Sequence, residues 1–421
     1  MNSRTLRPIA LGIFLNVVLV SWCAAATFYV RQGAIGTNDG SDWANAWNQA
    51  SQINYSKLNP GDTVYFAAGT YGALTVNRSG TPGYPITFKR ATAALHGTGT
   101  SWNASYDGLV VFDGGKGLCA VCIGNTVQAD YITVDGATRY GIWVRNAMYG
   151  VKPRGPSNTA NNLTIRYVEI GDVGAYKMGE DGIQGIGDNL VVEYSYIHDN
   201  DNLSTHGDGV QWFEGTNLTF RYNLFENNGQ MFMLTETAWG NDYVHELNIY
   251  YNVFRNRGGA HYNGISKKLC PQPGHYWRVY NNTFDLEATS NDGYNNIFSG
   301  AGSCQAMDFR NNAVIYSNAA SVGSVSHSYN AYDNSGQYAV YNIPSETGRI
   351  VAADLGFVNV NSADYHLTSS SPLIGKGVNV GLTQDFDGNP VPAAPSIGAF
   401  ELAAAAGSTP LPAPANLRVI P

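Results

Sequence analysis

The 421-residue sequence predicts an all-β chain wound into a solenoid of stacked coils. One pattern returns six times between Asn162 and Tyr316, as LTIRYVEI, LVVEYSYI, LTFRYNLF, LNIYYNVF, WRVYNNTF and MDFRNNAV. It begins at Leu163, Leu190, Leu218, Leu247, Trp277 and Met307, so the steps are 27, 28, 29, 30 and 30 residues. Its third place holds Ile165, Val192, Phe220, Ile249, Val279 and Phe309; its eighth holds Ile170, Ile197, Phe225, Phe254, Phe284 and Val314. Polar or aromatic residues alternate with these. Alternation of period 2 marks a strand with one buried face, and return at a nearly fixed step marks a stacked repeat fold. Asparagine then fills the sixth place in four successive repeats: Asn223, Asn252, Asn282 and Asn312. Asparagine tolerates left-handed backbone and bonds through its amide, so a column of it suits a repeated corner bonded up and down the stack.

The remaining elements follow in chain order. Residues 1–26 carry Arg4 and Arg7, an apolar run from Ile9 to Val20 and then Ala24-Ala25-Ala26. That is the pattern of a secretory leader, with a run too short to span a bilayer. No later stretch is long and apolar enough to cross one, so the expectation is a secreted protein without a membrane span. Residues 27–113 are expected to form a cap and the first coils, because an open coil would expose core and unpaired backbone. YITVDG (131–136) fits a further coil, and 145–162 reads as a loop thrown off the side. Coils are regular over 162–316 and looser over 317–402, which closes the β-helix domain at 27–402. The Ala/Pro-rich stretch 403–421 is a linker or tail.

The entry and exit of this domain carry a resemblance. PGDTVYFAAGTY followed by GTPGYPITFK, and SPLIGKGVNVGLTQDFDGNPVPAAPSIGAFE at 371–401, resemble the first and last coils of secreted proteins of the pectate-lyase-like superfamily. The resemblance covers most of the chain beyond residue 26 and implies a right-handed parallel β-helix. It is far more specific for architecture than for substrate.

Composition narrows the partners. Lys and Arg number 24 against 32 Asp and Glu, a net charge of −8, and removal of the leader takes it to −10. An acidic chain is a poor match for nucleic acid. A linear acidic polysaccharide stays open, because a cleft can be locally basic or recruit calcium. No organic cofactor is expected, and the chain is expected to act as a monomer. Cys119, Cys122, Cys270 and Cys304 remain after processing and suggest disulfides in an exported protein. The first two could close a small local loop, and the second two could meet on adjacent coils.

Chemistry is expected on one flank, where equally spaced outward residues form a trough suited to a polymer. The sharpest local signal is a duplication: GEDGIQ (179–184) is followed by HGDGVQ (206–211). It sets Asp181 over Asp208 and Gln184 over Gln211, with Glu180 and His206 near the same mouth. Asp-Gly pairs are also ordinary turn chemistry, and such columns could be ladders that hold a corner. Longer connections follow, carrying Glu236, His261, Tyr262, Asn263, Lys267 and Lys268, and functional residues favour such loops.

The resemblance implies β-elimination on a uronate polymer. In that reading Glu180, Asp181 and Asp208 could hold calcium through oxygen, while Gln184, Gln211 and Asn263 touch substrate. His206 or Lys267 serves as base, histidine being the side chain most easily tuned near neutrality. His261 or Tyr262 serves as acid, Asp208 and Glu236 complete the catalytic set, and Trp212 and Tyr262 offer sugar platforms. Hydrolysis by two carboxylates drawn from Asp181, Asp208 and Glu236 is the alternative, although the NTD, GHG and RIK signatures of the superfamily's glycosidases are missing. A uronate C5-epimerase and a non-catalytic glycan-binding adhesin also remain open.

Overall fold

Six copies of one short motif can bury their apolar faces only by stacking, and the chain does so. The computed structural model describes residues 25–97, 101–125, 127–153, 159–171, 181–200, 207–234, 244–257, 264–267, 273–287, 296–300 and 302–402. Each regular coil contributes three short strands, one to each of three parallel faces. The first face holds eleven strands, from Thr27–Val30 to Val325–Ser328, and every strand pairs in parallel with the next coil. The fold is a right-handed parallel β-helix.

The repeat alignment read from the sequence is the register of the ladder. Ile165 lies over Val192, then Phe220, Ile249, Val279 and Phe309 on the first face. Ile170, Ile197, Phe225, Phe254, Phe284 and Val314 do the same on the second. The third face stacks Ile183, Val210, Phe232, Ile265 and Phe298. All three columns point inward and are buried. Within the core, Phe225, Phe254 and Phe284 stack ring on ring at 5.1 and 4.7 Å. A one-residue slip of any strand would turn its whole apolar set outward, so register is strongly specified.

The corner between the first and second faces divides its work in a way the sequence did not suggest. The left-handed residue is the one before the asparagine position of each coil: Tyr167 (before Val168), Tyr194 (before Ser195), Tyr222, Tyr251, Asn281, Asn311 and Tyr329 all have φ between 52° and 60°. The asparagines turn inward and form the ladder. Nδ2 of Asn223, Asn252, Asn282 and Asn312 donates to Oδ1 of the next member at 3.1, 3.0, 3.0 and 3.1 Å, ending on Asn330. Each Oδ1 also accepts the preceding member's backbone N–H, as Asn282 does from Asn252 at 2.9 Å. The ladder begins at Ser195 N–H and ends on the Glu346 carboxylate. Buried polar groups must be paired, and here every coil pairs the last one.

Two segments depart from the expected outline. Residues 145–153, read as part of a side loop, complete the long strand Ile142–Pro153, which joins the sheet through Val121↔Val151 and Cys122↔Lys152. The C-terminal part also differs. Strands Ala331–Asp333 and Ile350–Ala352 continue the second face, but residues 353–402 stop winding and lie across that face instead. They are fastened by Tyr365 Oη to Asp285 (2.6 Å), Asn281 to Ser396 O (3.0 Å) and Asn311 to Val378 O (2.8 Å). Cys119 and Cys122 form the local disulfide, and Cys304 is disulfide-bonded as well, while Cys270 lies outside the described residues. Among the described residues no helix is long and apolar enough to cross a membrane.

Candidate functional site

Each of the three outer faces has a different character. On the first face one column runs Lys89, Asp135, Arg166, Glu193, Arg221. Its charges neutralise one another, with Lys89–Asp135 at 3.1 Å, Arg166–Asp135 at 2.9 Å and Arg221–Glu193 at 2.6 Å. The second face is covered by residues 353–402. There Arg257 grips Asp285 (2.6 Å) and Tyr196 Oη donates to Glu226 (2.5 Å), beneath the strap. His198 sits at this edge, stacked on Tyr196 at 3.9 Å and held by Asp199 and Glu169. Burial alone would push its pKa down, but those two hydrogen bonds raise it to about 9.

The third face is left for a ligand. Its outward column runs Cys122, Lys152, Gln184, Gln211, Met233, Ser266, Ser299, one residue per coil. Lys152 Nζ lies 3.9 Å from the centre of the Tyr149 ring and donates to Gln184 Oε1. Gln184 Nε2 donates both its hydrogens, to Asp181 Oδ2 at 2.7 Å and to Gln211 Oε1 at 2.6 Å. Gln211 therefore faces the relay with its oxygen, and its amide nitrogen has no hydrogen-bond partner among the described residues. The chain of donors fixes which way the last amide points. The ammonium of Lys152 and the oriented NH₂ group of Gln211 stand two coils apart, at about 4.8 Å per coil, and each can receive a carboxylate.

Asp181 is the anchor of that relay, which corrects its expected place. It shares the inward register of Ile183, is 1% exposed, and takes the backbone N–H of Asp208 on Oδ1 at 3.0 Å. Asp208 is 0% exposed, paired in register with Gln230, and accepts Gln230 Nε2 at 3.2 Å. Both were expected to open on the trough as catalytic or calcium-binding acids. Both are instead buried where the chain enters the third face, bonded to Gln184, to the Asp208 N–H and to Gln230, because their position along the strand carries core parity. Of the expected calcium ligands, Asp181 already accepts N–H groups on both oxygens and Glu180 lies outside the described residues, among which no cluster of three metal-ligating side chains occurs.

Trp212 is likewise not a platform. It is fully buried, two places after Val210 on the same inward parity, with Nε1 donating to Gly187 O at 3.1 Å. Lys267 ends the strand Ile265–Lys267, in register with Leu234 on one neighbouring coil and Gly300 on the other. Gln184 and Gln211 are brought together as the repeat predicted. Glu180, His206, Glu236, His261, Tyr262, Asn263 and Lys268 lie outside the described residues.

Lys152 and Tyr149 are the residues that sequence reasoning missed. A signal existed: GVK (150–152) aligns with GIQ (182–184) and GVQ (209–211). The leading glycine is forced by close approach, since a Cβ at Gly150 would lie 2.5 Å from Gly182 O, and one at Gly182 would lie 2.7 Å from Gly209 O.

No protein-family model matches the sequence, and no curated protein matches it. Among solved structures the chain is similar to pectate lyase Pel9A at 16% identity, covering 90% of this chain and 98% of that one, with a TM-score of 0.49. It is also similar to an alginate lyase from Paenibacillus sp. str. FPU-7 (15% identity, 72% and 97% covered, TM-score 0.40) and to a rhamnogalacturonan lyase (12%, 80% and 92%, 0.42). The parallel β-helix described above rests on this chain's own sheets. Likenesses at this level describe winding and carry no residue roles, which must come from the site itself.

Proposed function

We propose that this protein is a secreted polysaccharide lyase that cleaves a uronate-containing polymer by β-elimination on its third face. The observation that carries the proposal is the relay Lys152–Gln184–Gln211, which runs from an ammonium to an outward amide donor two coils away. Elimination begins with neutralisation of the uronate carboxylate, because the C5 proton becomes removable only when the resulting enolate charge is stabilised. Lys152 and the Gln211 amide, two coils apart, each supply that stabilisation to one uronate from a fixed position, where pre-oriented donors act most strongly. A base then takes the C5 proton, the C4–oxygen bond breaks, and an acid protonates the departing oxygen. His206, His261 and Lys267 are the proposed bases, with Tyr262 or His261 as the proposed acid. Glu236 and Asn263 are proposed as its further polar contacts. No step is routed through calcium.

Hydrolysis loses support, because two of the three carboxylates it would draw on, Asp181 and Asp208, are buried. A C5-epimerase would use the same carboxylate contact and differ only in where the proton returns. The test is a panel of pectate, alginate and glycosaminoglycans, with and without a chelator, read by the ultraviolet absorbance of the unsaturated uronate. New absorbance supports elimination; new reducing ends without it indicate hydrolysis; an altered uronate without cleavage indicates epimerisation; and binding without product indicates an adhesin.

A further inference from the structure

The floor of the third face is chemically lopsided. Among Cys122, Lys152, Gln184, Gln211, Met233, Ser266 and Ser299, Lys152 is the sole formal charge. Beyond the oriented amide of Gln211 comes Met233, half-buried, with a thioether that donates no hydrogen bond. The next two coils present hydroxyls, with Ser299 Oγ donating to Ser266 Oγ at 3.1 Å. Coils lie about 4.8 Å apart, close to the length of one sugar residue, so a polymer lying along the axis meets roughly one floor residue per sugar.

A polymer with a carboxylate on every residue would set one against Lys152 and one against Gln211, but also one against Met233. That last carboxylate would lose water and gain no donor from the described floor residues, and an uncompensated charge of that kind is expensive. The first face gives a contrast within the same molecule: its outward column alternates acids and bases, and a cation recurs at every second coil. The third face has no such recurrence. A neutral sugar, by contrast, would lay its C–H face on the Met233 thioether at no electrostatic cost.

We propose that the substrate is a heteropolymer in which uronate alternates with an uncharged sugar, with uronate at Lys152 and Gln211 and the uncharged residue over Met233. This rests on the third face being the substrate site, as set out above, and adds the class of polymer that site selects. Alternation matches the floor, since Lys152 and Gln211 lie two coils apart and Met233 falls between Gln211 and Ser266. Ser266 can donate to the next carboxylate.

The experiment compares binding and cleavage of polygalacturonate and polymannuronate with two alternating polymers of similar length: a galacturonate–rhamnose backbone and hyaluronan. The full chain and its Met233→Lys variant are both measured. At least one alternating polymer should bind the native chain about tenfold tighter than either homopolymer, and Met233→Lys should tighten the homopolymers severalfold while weakening the alternating one. Homopolymer binding equal to or tighter than alternating binding, homopolymer affinity unchanged by Met233→Lys, or no binding of any of the four would overturn the proposal. The two readings fail separately. Preference for the alternating polymer without any ultraviolet product sinks the lyase and leaves the selectivity. Equal cleavage of both classes sinks the selectivity and leaves the lyase.

Discussion

Asn252 offers a direct measure of what the corner ladder contributes. It is fully buried, and its Nδ2 donates to Phe220 O at 2.9 Å and to Asn282 Oδ1 at 3.0 Å. Its Oδ1 accepts Asn223 N–H at 3.0 Å and Asn223 Nδ2 at 3.1 Å. Asn252→Ala removes these bonds together with the 3.2 Å bond from Nδ2 to Tyr250 O, but the damage is uneven. Asn223 Nδ2 keeps Val192 O at 2.8 Å, and Asn282 Oδ1 keeps the backbone N–H of residue 252 at 2.9 Å. The backbone N–H of Asn223 loses its only side-chain acceptor inside the core. A buried donor left unmade costs about 1–3 kcal/mol, and each further lost bond about 0.5–1.5 kcal/mol. The sum is about 3–9 kcal/mol, a large share of the net stability of an ordinary domain. Urea unfolding followed by far-ultraviolet circular dichroism reads it as a lower midpoint. Asn248→Ala is the control, since that side chain lies on the outer face and only accepts a 3.4 Å contact from Arg278; it should cost no more than about 0.5 kcal/mol. Equal costs for the two variants would refute the view that buried amides hold the corner.

Three further outcomes are expected. His198 and His366 each sit between two carboxylates, and although burial alone would lower their pKa values, those partners raise both to about 9. Each therefore adds stability that is complete below the ordinary histidine value and is lost as pH rises through about 9, so a melting profile should decline on its alkaline side and flatten there in His198→Gln; an unchanged profile would contradict this. Trp212→Ala should cost about 3–5 kcal/mol, as for any large core side chain, whereas a surface platform would cost almost nothing. The Cys119–Cys122 disulfide packs against Tyr149, the ring that seats Lys152, so reduction should raise the acylation rate of Lys152, followed by peptide mass spectrometry, while leaving that of Lys376 unchanged; equal rates before and after would show that the disulfide does not position the ammonium.

The winding was open to a reader of the sequence because the repeat acts on many coils at once. A period-2 pattern returning six times fixes which residues face inward, and the register Leu218–Leu247–Trp277–Met307 followed from spacing alone. The division of the corner was not open. Tyrosine and asparagine stand side by side at 222–223 and 251–252, and only the backbone decides that the tyrosine takes the left-handed turn. The site was half open. The duplicated Asp and Gln columns were visible, but whether a residue near a strand end faces in or out depends on where the strand begins. Counting back from Val210 and Trp212 puts Asp208 on the inner side, and that parity overrides its charge. Lys152 stayed hidden because its strand contains Gly150 and Pro153, which read as loop punctuation. The covering of the second face by residues 353–402 has no local signal, since it depends on contacts such as Arg139 with Phe386 O, 247 residues away.

The most direct trial of the central claim is the initial rate of unsaturated-uronate formation by the native chain, Lys152→Ala, Gln211→Ala and Arg221→Ala on the best polymer of the panel. Lys152→Ala and Gln211→Ala should each lose at least about tenfold, roughly the worth of one charge-assisted hydrogen bond, with circular dichroism unchanged. Arg221→Ala, on the first face, should keep the native rate. Native rates in the two third-face variants, or loss confined to Arg221→Ala, would place the chemistry elsewhere on the rod.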